Sequence, residues 1–299
     1  MPRPLTQIAV LSGKGGTGKT TVLASFAALA GDAVLADCDV DAANLHLLLQ
    51  PEVREESAFW GAKIAVRDAT KCQQVGECER RCRFGAITTE AVDAKACEGC
   101  GLCVLVCPHQ ALSLQPVING YCYLSDTAYG PLAHARLVPA GESSGRLVTK
   151  VRQMAEDAAL ETGRSLVLID GPPGIGCTAV AAMAEVNLVV IVTEPTPSGI
   201  HDMERLAGLA AHSRLPMSVI INKADLNCDH TRHIRVWAEG QGMALLGELP
   251  FDEDVPRAIG SQMPLPLASE GPAAQAVARA WKGLAVLLPQ EADSALRGK

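Results

Sequence analysis

The stretch Ser12-Gly13-Lys14-Gly15-Gly16-Thr17-Gly18-Lys19-Thr20-Thr21 carries the residue types needed to hold a polyphosphate. Glycines let a backbone wrap closely around phosphate oxygens. Successive N–H groups and a helix N-terminus supply positive partial charge. Gly13, Gly18, Lys19 and Thr20 meet the G-x-x-x-x-G-K-[ST] spacing. In that pattern the lysine reaches the β- and γ-phosphates and the hydroxyl ligates Mg²⁺. Gly15, Gly16, Thr17 and Thr21 complete the expected nucleotide cradle. Lys14 is a second lysine inside the loop, outside the minimal pattern.

The cysteines suggest a second chemistry. There are eleven in 299 residues, and no secretory leader precedes the apolar run that enters the loop, so a cytoplasmic location and metal ligation are expected rather than disulfides. Cys97-x2-Cys100-x2-Cys103-x3-Cys107-Pro108 has the bacterial ferredoxin spacing, in which the fourth cysteine serves the other cluster. The earlier run, Cys72, Cys78 and Cys82, keeps the same offsets except that Val75 stands where the second cysteine belongs. Arg83-Phe84-Gly85-Ala86-Ile87 parallels His109-Gln110-Ala111-Leu112, so the two runs form an internal repeat. Crossed ligation assigns Cys82, Cys97, Cys100 and Cys103 to a [4Fe–4S] cluster. Cys72, Cys78 and Cys107 are left for a second site. Three thiolates suit a [3Fe–4S] cluster, or a [4Fe–4S] cluster whose fourth iron takes water or an exogenous ligand. A first site without metal is the alternative.

Short apolar runs must position these groups. Ile8–Leu11, Ala33–Ala36, Leu166–Ile169, Leu188–Val192 and Val219–Ile221 read as buried strands of a parallel sheet. Helices are expected from Thr21 to Ala30, over Leu45–Leu49, from a Ser143 or Ser144 cap to Thr162, from Gly199 onward, and over Ala273–Leu288. Carboxylates follow two of the strands: Asp37, Asp39 and Asp41 after the second, and Asp170 before Gly171-Pro172-Pro173-Gly174. Such strand ends line ligand sites in open α/β sheets. Asp41 is also expected to cap the next helix. Gly120–Gly141 reads as turn-rich, with Cys122 a buried thiol, and Glu291–Lys299 as a frayed end.

The Lys-Gly-Gly-Thr-Gly-Lys-Thr loop resembles the deviant Walker A motif of the MinD/ParA/Mrp and nitrogenase iron-protein superfamily of P-loop ATPases. With the cysteine runs, the chain is similar to members that carry an inserted ferredoxin domain. The resemblance implies an α/β fold with a mostly parallel sheet, helices on both faces and a small α+β iron–sulfur insert. It divides the chain into an ATPase part at 1–61, the insert at 62–115 and a second ATPase part at 116–299. It implies that Lys14 crosses an ATP-dependent homodimer interface to the partner's nucleotide. Asp39 would position the attacking water, while Asp37 and Asp170 organise Mg²⁺ with Thr20. Asn222 and Pro250 would line the adenine; Asn222-Lys223-Ala224-Asp225 also resembles a guanine motif, and the deviant loop favours ATP. Cys177 follows Asp170 at the offset of a cluster ligand in the nitrogenase iron protein, but it also reads as a free cysteine. The insert lies between the two switch segments, so nucleotide state could alter cluster environment or partner docking.

Composition narrows the function classes. A formal net charge of −7 argues against a nucleic-acid surface, which needs a basic stripe. No apolar run reaches bilayer length, and the C-terminal helix lacks a basic face, so no membrane role is expected. Three readings remain: an ATP-gated electron-transfer protein with a redox partner, a cluster or metallocofactor assembly ATPase, and a redox-sensing scaffold with ATP-set dimerisation. The C-x-x-C of Mrp carriers is absent, since Cys228 stands alone.

Overall fold

The computed structural model describes residues 5–139, 141 and 144–287. The expected frayed end Glu291–Lys299, the possible cap Ser143 and Leu288 lie outside them. In chain order the elements are β1 (Thr6–Ser12), α1 (Lys19–Ala30), β2 (Val34–Asp37), α2 (Leu45–Leu49), β3 (Glu52–Phe59), β4 (Ala62–Arg67), α3 (Glu77–Arg81), α4 (Leu102–Val106), β5 (Leu112–Val117), β6 (Gly120–Thr127) and β7 (Gly130–Leu137). There follow α5 (Gly145–Thr162), β8 (Leu166–Pro173), α6 (Cys177–Met183), β9 (Leu188–Thr193), α7 (Pro197–His212), β10 (Met217–Asn222), α8 (Cys228–Gly240), β11 (Ala244–Leu249), α9 (Asp254–Gly260), α10 (Leu265–Ala268) and α11 (Pro272–Leu287).

A sheet of nine strands runs β11-β10-β9-β1-β8-β2-β7-β6-β3. The pairs linking β11 through β7 are parallel, with Ile8 opposite both Leu168 and Leu188, and Leu35 opposite Leu168 and Leu132. Strands buried on both faces lose the polar alternation, which is why these segments read as continuous apolar runs. Ile8 and Val10 share one hydrophobic cluster with α1 and α11, where the Phe26 and Trp281 ring centroids lie 5.1 Å apart. Leu11 serves the other face: a Cβ on Gly171 would meet its Cδ2 and, at 3.4 Å, Cβ of Ala182 on α6. Ser144 caps α5 as expected, its Oγ accepting from Leu147 N at 3.3 Å.

Two expectations are corrected, and one strand is added. Gly120–Gly141 is not turn-rich: β6 and β7 occupy most of it, joined through Thr127 Oγ1, which donates to Gly130 O at 2.7 Å. The alternation of Tyr121, Cys122, Tyr123 and Leu124 was the signal, masked by flanking turn residues; Cys122 is buried as expected. Glu52–Phe59, for which the sequence suggests no element, is the edge strand β3, where charged side chains block further pairing. Asp41 does not cap α2. The cap position is Asn44, and Asp37 Oδ2 accepts from Leu45 N at 3.2 Å.

The chain divides into two compact units. The larger takes in the described residues of Met1–Glu56, Cys122–Arg136 and Ser143–Lys299, and the smaller those of Ser57–Tyr121 and Leu137–Glu142. The smaller unit has a two-stranded antiparallel ribbon, β4 with β5, and the short helices α3 and α4. Its core is Ala65, Ile87, Cys103 and Leu112, packed with four further cysteines, Cys78, Cys82, Cys97 and Cys107.

In the larger unit His134 on β7 stacks between His46, at 6.4 Å, and Tyr123, at 5.1 Å, with Nε2 2.9 Å from Ser125 Oγ. Burial first, and then the charge of His46, push its pKa down to about 4. An unfolded histidine takes up its proton near pH 6.5, whereas the folded ring resists until about 4. Stability therefore falls as pH drops through that window. The urea midpoint is expected to fall between pH 7 and 5 and to fall less in His134→Gln; equal slopes would remove His134 as a cause.

Candidate functional site

The loop after β1 leads directly into α1, whose body is alanine- and leucine-rich and so favours the helix. Gly18 stands at the helix entrance with φ +90°, and a Cβ there would lie 2.3 Å from Asn222 Nδ2. Gly13 is forced by packing: a Cβ would lie 2.6 Å from the backbone of Asp202 on α7. Thr17 Oγ1 is buried without a partner, an orphan donor inside the cradle.

Lys19 is buried, its Nζ 2.6 Å from Asp170 Oδ1 and 3.5 Å from Asp39 Oδ2. Thr20 Oγ1 donates to the other Asp170 oxygen at 2.8 Å. Asp37, the last residue of β2, pairs in register with Asp170 within β8, and both are fully buried. The structure therefore brings together Lys19, Thr20, Asp37, Asp39 and Asp170. Burial works to lower the Lys19 pKa, but Asp170, Asp39 and Asp37 overcome it and raise the value. Burial and then the Asp170 charge raise Asp37 well above the ordinary carboxylate range, with Lys19 opposing. Asp39 is raised by burial first, against the pull of Lys19. Three carboxylates thus share one lysine, and the set of hard oxygen donors suits Mg²⁺.

Lys14 turns onto residues of its own chain. Its Nζ is 2.5 Å from Glu194 Oε1, 3.0 Å from Ser198 Oγ and 3.4 Å from Thr196 Oγ1. Glu194 also takes Lys223 Nζ at 3.2 Å. Burial alone would raise the Glu194 pKa; hydrogen bonds from Lys14 and Lys223 overturn that and lower it. Sequence reading missed Glu194, although its place just past the end of β9 is where α/β sites gather charge.

Asn222 tethers the loop, donating from Nδ2 to Thr17 O at 2.8 Å while its Oδ1 accepts from Lys223 N at 3.0 Å. Pro250, after β11, lines a recess of about 740 Å³ with Asp225, Cys228 and Arg235. Asp225 accepts from Phe251 N at 2.7 Å, fixing that turn. Cys177 is exposed at the start of α6.

Residues 8–265 match the CobQ/CobB/MinD/ParA nucleotide binding domain. The chain belongs to that family. An uncharacterized protein of Methanocaldococcus jannaschii is 29% identical over 266 residues, covering 87% of this chain and 89% of that protein. The chloroplastic septum site-determining protein minD homolog of Arabidopsis thaliana is 25% identical over 268 residues, covering 87% and 68%. Among solved structures, MinD of Pyrococcus horikoshii complexed with Mg-ADP superposes with a TM-score of 0.58 at 18% identity, covering 93% of this chain and 95% of that one. MinD in the MinC:MinD complex of Aquifex aeolicus gives 0.55 at 19% identity over 93% and 95%. At these identities the likeness speaks to the fold, that of a MinD/ParA-type P-loop ATPase with a mostly parallel sheet. No helix among the described residues is long and apolar enough to cross a membrane.

The cysteines of the smaller unit line two recesses. One, of about 370 Å³, is lined by Cys82, Cys97, Cys100 and Cys103; the other, of about 390 Å³, by Cys72, Cys78 and Cys107 together with Val75. Backbone amides already point at two of the sulfurs: Ala65 N donates to Cys97 Sγ at 3.4 Å and Ala111 N to Cys107 Sγ at 3.3 Å. Burial, then Cys97, raises the Cys103 thiol pKa. Among the described residues no three His, Cys, Asp or Glu side chains converge closely enough to hold a single metal ion.

Lys19→Ala removes the cation that Asp39 and Asp170 contact among the described residues and leaves buried carboxylates unpaired. It should abolish nucleotide binding and also destabilise the nucleotide-free protein by about 3 kcal/mol. Equilibrium titration with a fluorescent ATP analogue and denaturant unfolding check the two effects; wild-type stability would contradict the burial argument.

Proposed function

We propose that the chain is a Mg²⁺-dependent ATPase that closes as an ATP-bound homodimer, and that its smaller unit holds iron–sulfur clusters through which it exchanges electrons with a redox protein partner. The observation that carries the reading is the sorting of seven cysteines into two recesses in the crossed pattern, with Cys82 beside Cys97, Cys100 and Cys103, and Cys107 beside Cys72 and Cys78. The residues fit such groups. Thiolates are the donors of choice, and amide-to-sulfur hydrogen bonds are the usual tuning device. A bound cluster supplies one-electron chemistry. The first recess has four thiolates and suits [4Fe–4S]. The second has three and suits [3Fe–4S] or a [4Fe–4S] cluster with one exogenous ligand.

On the nucleotide side, the loop amides and Lys19 bind the phosphates, while Thr20, Asp37 and Asp170 serve Mg²⁺. Asp39 orients the attacking water toward the γ-phosphorus, and the bond to the ADP oxygen breaks. Lys14 leaves Glu194 to reach the partner copy's nucleotide, and the Asn222–Pro250 side receives the adenine. The smaller unit follows Asp39 and precedes Asp170 in the chain, which gives nucleotide state a covalent route to it.

The deciding experiment is an anaerobic iron determination and an EPR-monitored redox titration with MgADP and with a non-hydrolysable ATP analogue. Iron with a nucleotide-dependent midpoint supports coupled electron transfer. Iron that passes to an apo-acceptor would move the reading to cluster assembly, and no iron would overturn it. Asp39→Ala should retain ATP binding and lose about 10²-fold or more in hydrolysis; unchanged turnover would end the role given to Asp39.

A further inference from the structure

The two halves of the smaller unit repeat each other in backbone detail. Gly76 (φ +79°) opens α3 as Gly101 (φ +77°) opens α4, and Cys82 ends the one as Cys107 ends the other. Asp68 N donates to Ala111 O at 2.8 Å, as Asp93 N does to Ala86 O at 2.8 Å. Asp68 Oδ1 accepts from Thr70 N at 2.9 Å, as Asp93 Oδ1 does from Lys95 N at 2.8 Å. Arg67 pairs with Leu112 as Val92 bridges to Ile87. These equivalences put Arg67 at the position that Val92 holds in the other half, just as they put Val75 at the position of Cys100.

The two departures meet in one place. Val75 and Arg67 both line the recess of Cys72, Cys78 and Cys107, whereas Val92 packs into the small apolar core. Arg67 gives its two terminal nitrogens to the carbonyls of Thr89, at 2.9 Å, and Thr88. Its Nε is buried with no partner. An orphaned guanidinium N–H is costly inside a protein. Glu77, which also lines the recess, is held by Arg80 at 2.5 Å and Arg81 at 3.2 Å and does not neutralise Arg67.

We propose that Arg67 is a binding and tuning residue for the anionic iron–sulfur group in the Val75-side recess, its Nε donating to that group and its positive charge further offsetting the group's negative charge where the fourth thiolate is missing. This rests on the iron–sulfur reading of the smaller unit. Relative to the four-cysteine recess, the site has lost one anionic ligand; arginines line both recesses, Arg81 and Arg83 there and Arg67 here, and of these Arg67 is the one whose Nε is buried without a partner among the described residues. Net charge and hydrogen bonds to sulfur set reduction potentials, so the Val75-side centre takes the higher potential of the two and is the electron acceptor within the unit.

The test uses the full chain, loaded anaerobically with iron and sulfide, and reads iron per chain and two midpoints by EPR. The signals are assigned by which one Cys72→Ala removes. Arg67→Gln is expected to keep its iron and to lower the Val75-side midpoint by at least a tenfold change in the reduced-to-oxidised ratio, about 59 mV for one electron, with the other midpoint unmoved. Arg67→Lys keeps the charge and should recover part of that shift. An unmoved Val75-side midpoint overturns the proposal, as does an equal shift at both sites. A wild-type Val75-side midpoint below the other overturns it without any variant, so a failure of Arg67→Gln to fold does not shelter it. Iron sufficient only for the four-cysteine recess leaves the proposed function standing and removes Arg67's role; no iron removes both.

Discussion

The ion pair between Lys19 and Asp170 is the constraint around which the larger unit is arranged. Both partners are buried, at 2.6 Å, among two further carboxylates that the same lysine must serve. Charges withdrawn from water are tolerated only where geometry and hydrogen bonds compensate, and here the sheet supplies that geometry. Asp37 and Asp170 face each other in register on parallel strands, so the acids meet through the register of β2 against β8. Lys19 comes from the first turn of α1, whose entrance closes only because Gly18 accepts φ +90° against Asn222. The strand register, the glycine and the asparagine therefore serve one small charged cluster. A divalent cation and a polyphosphate would redistribute that same charge.

The smaller unit follows another logic. Its core is thin, four buried residues and the cysteines around them, and a unit of that size usually needs covalent or metal staples. A repeated backbone makes two recesses from one pattern. Duplication of the backbone leaves side chains free to diverge, and they have done so at Val75 and Arg67 while the turns at Asp68 and Asp93 stay alike. Repeated geometry with altered charge makes the two recesses chemically unequal.

Much of this was legible in one dimension. Buried parallel strands announce themselves as apolar runs, and the phosphate loop and cysteine offsets are local patterns whose chemistry needs only close neighbours in sequence. What escaped notice has physical reasons. β3 is an edge strand with no buried face, so it carries no hydrophobic period. The β6–β7 pair has its alternation cut short by turn residues. Asp41 lost the helix cap to Asp37, which is nearer the helix start in space though farther in sequence. Glu194 and Arg67 are single charged residues at or just past strand ends, and their importance comes from partners far along the chain, such as Lys14 for Glu194. Only the fold brings those together.

Connectivity joins the two chemistries more firmly than proximity in sequence suggests. The chain enters the smaller unit along β3 and leaves it along β6, whose neighbour β7 pairs with β2 through Leu132 and Leu35. β2 is the strand that ends in Asp37 and pairs in turn with β8, the strand of Asp170. A change in charge at the lysine–carboxylate cluster is thus felt first by the two strands that hold the acids, and β7 is hydrogen-bonded to one of them. Parallel strands buried on both faces do not bend freely, so strain placed on β2 passes to its ladder partner rather than dissipating in a loop. The smaller unit lies between the two acids in sequence, and β6, along which the chain returns from it, is separated from β2 in the sheet by β7.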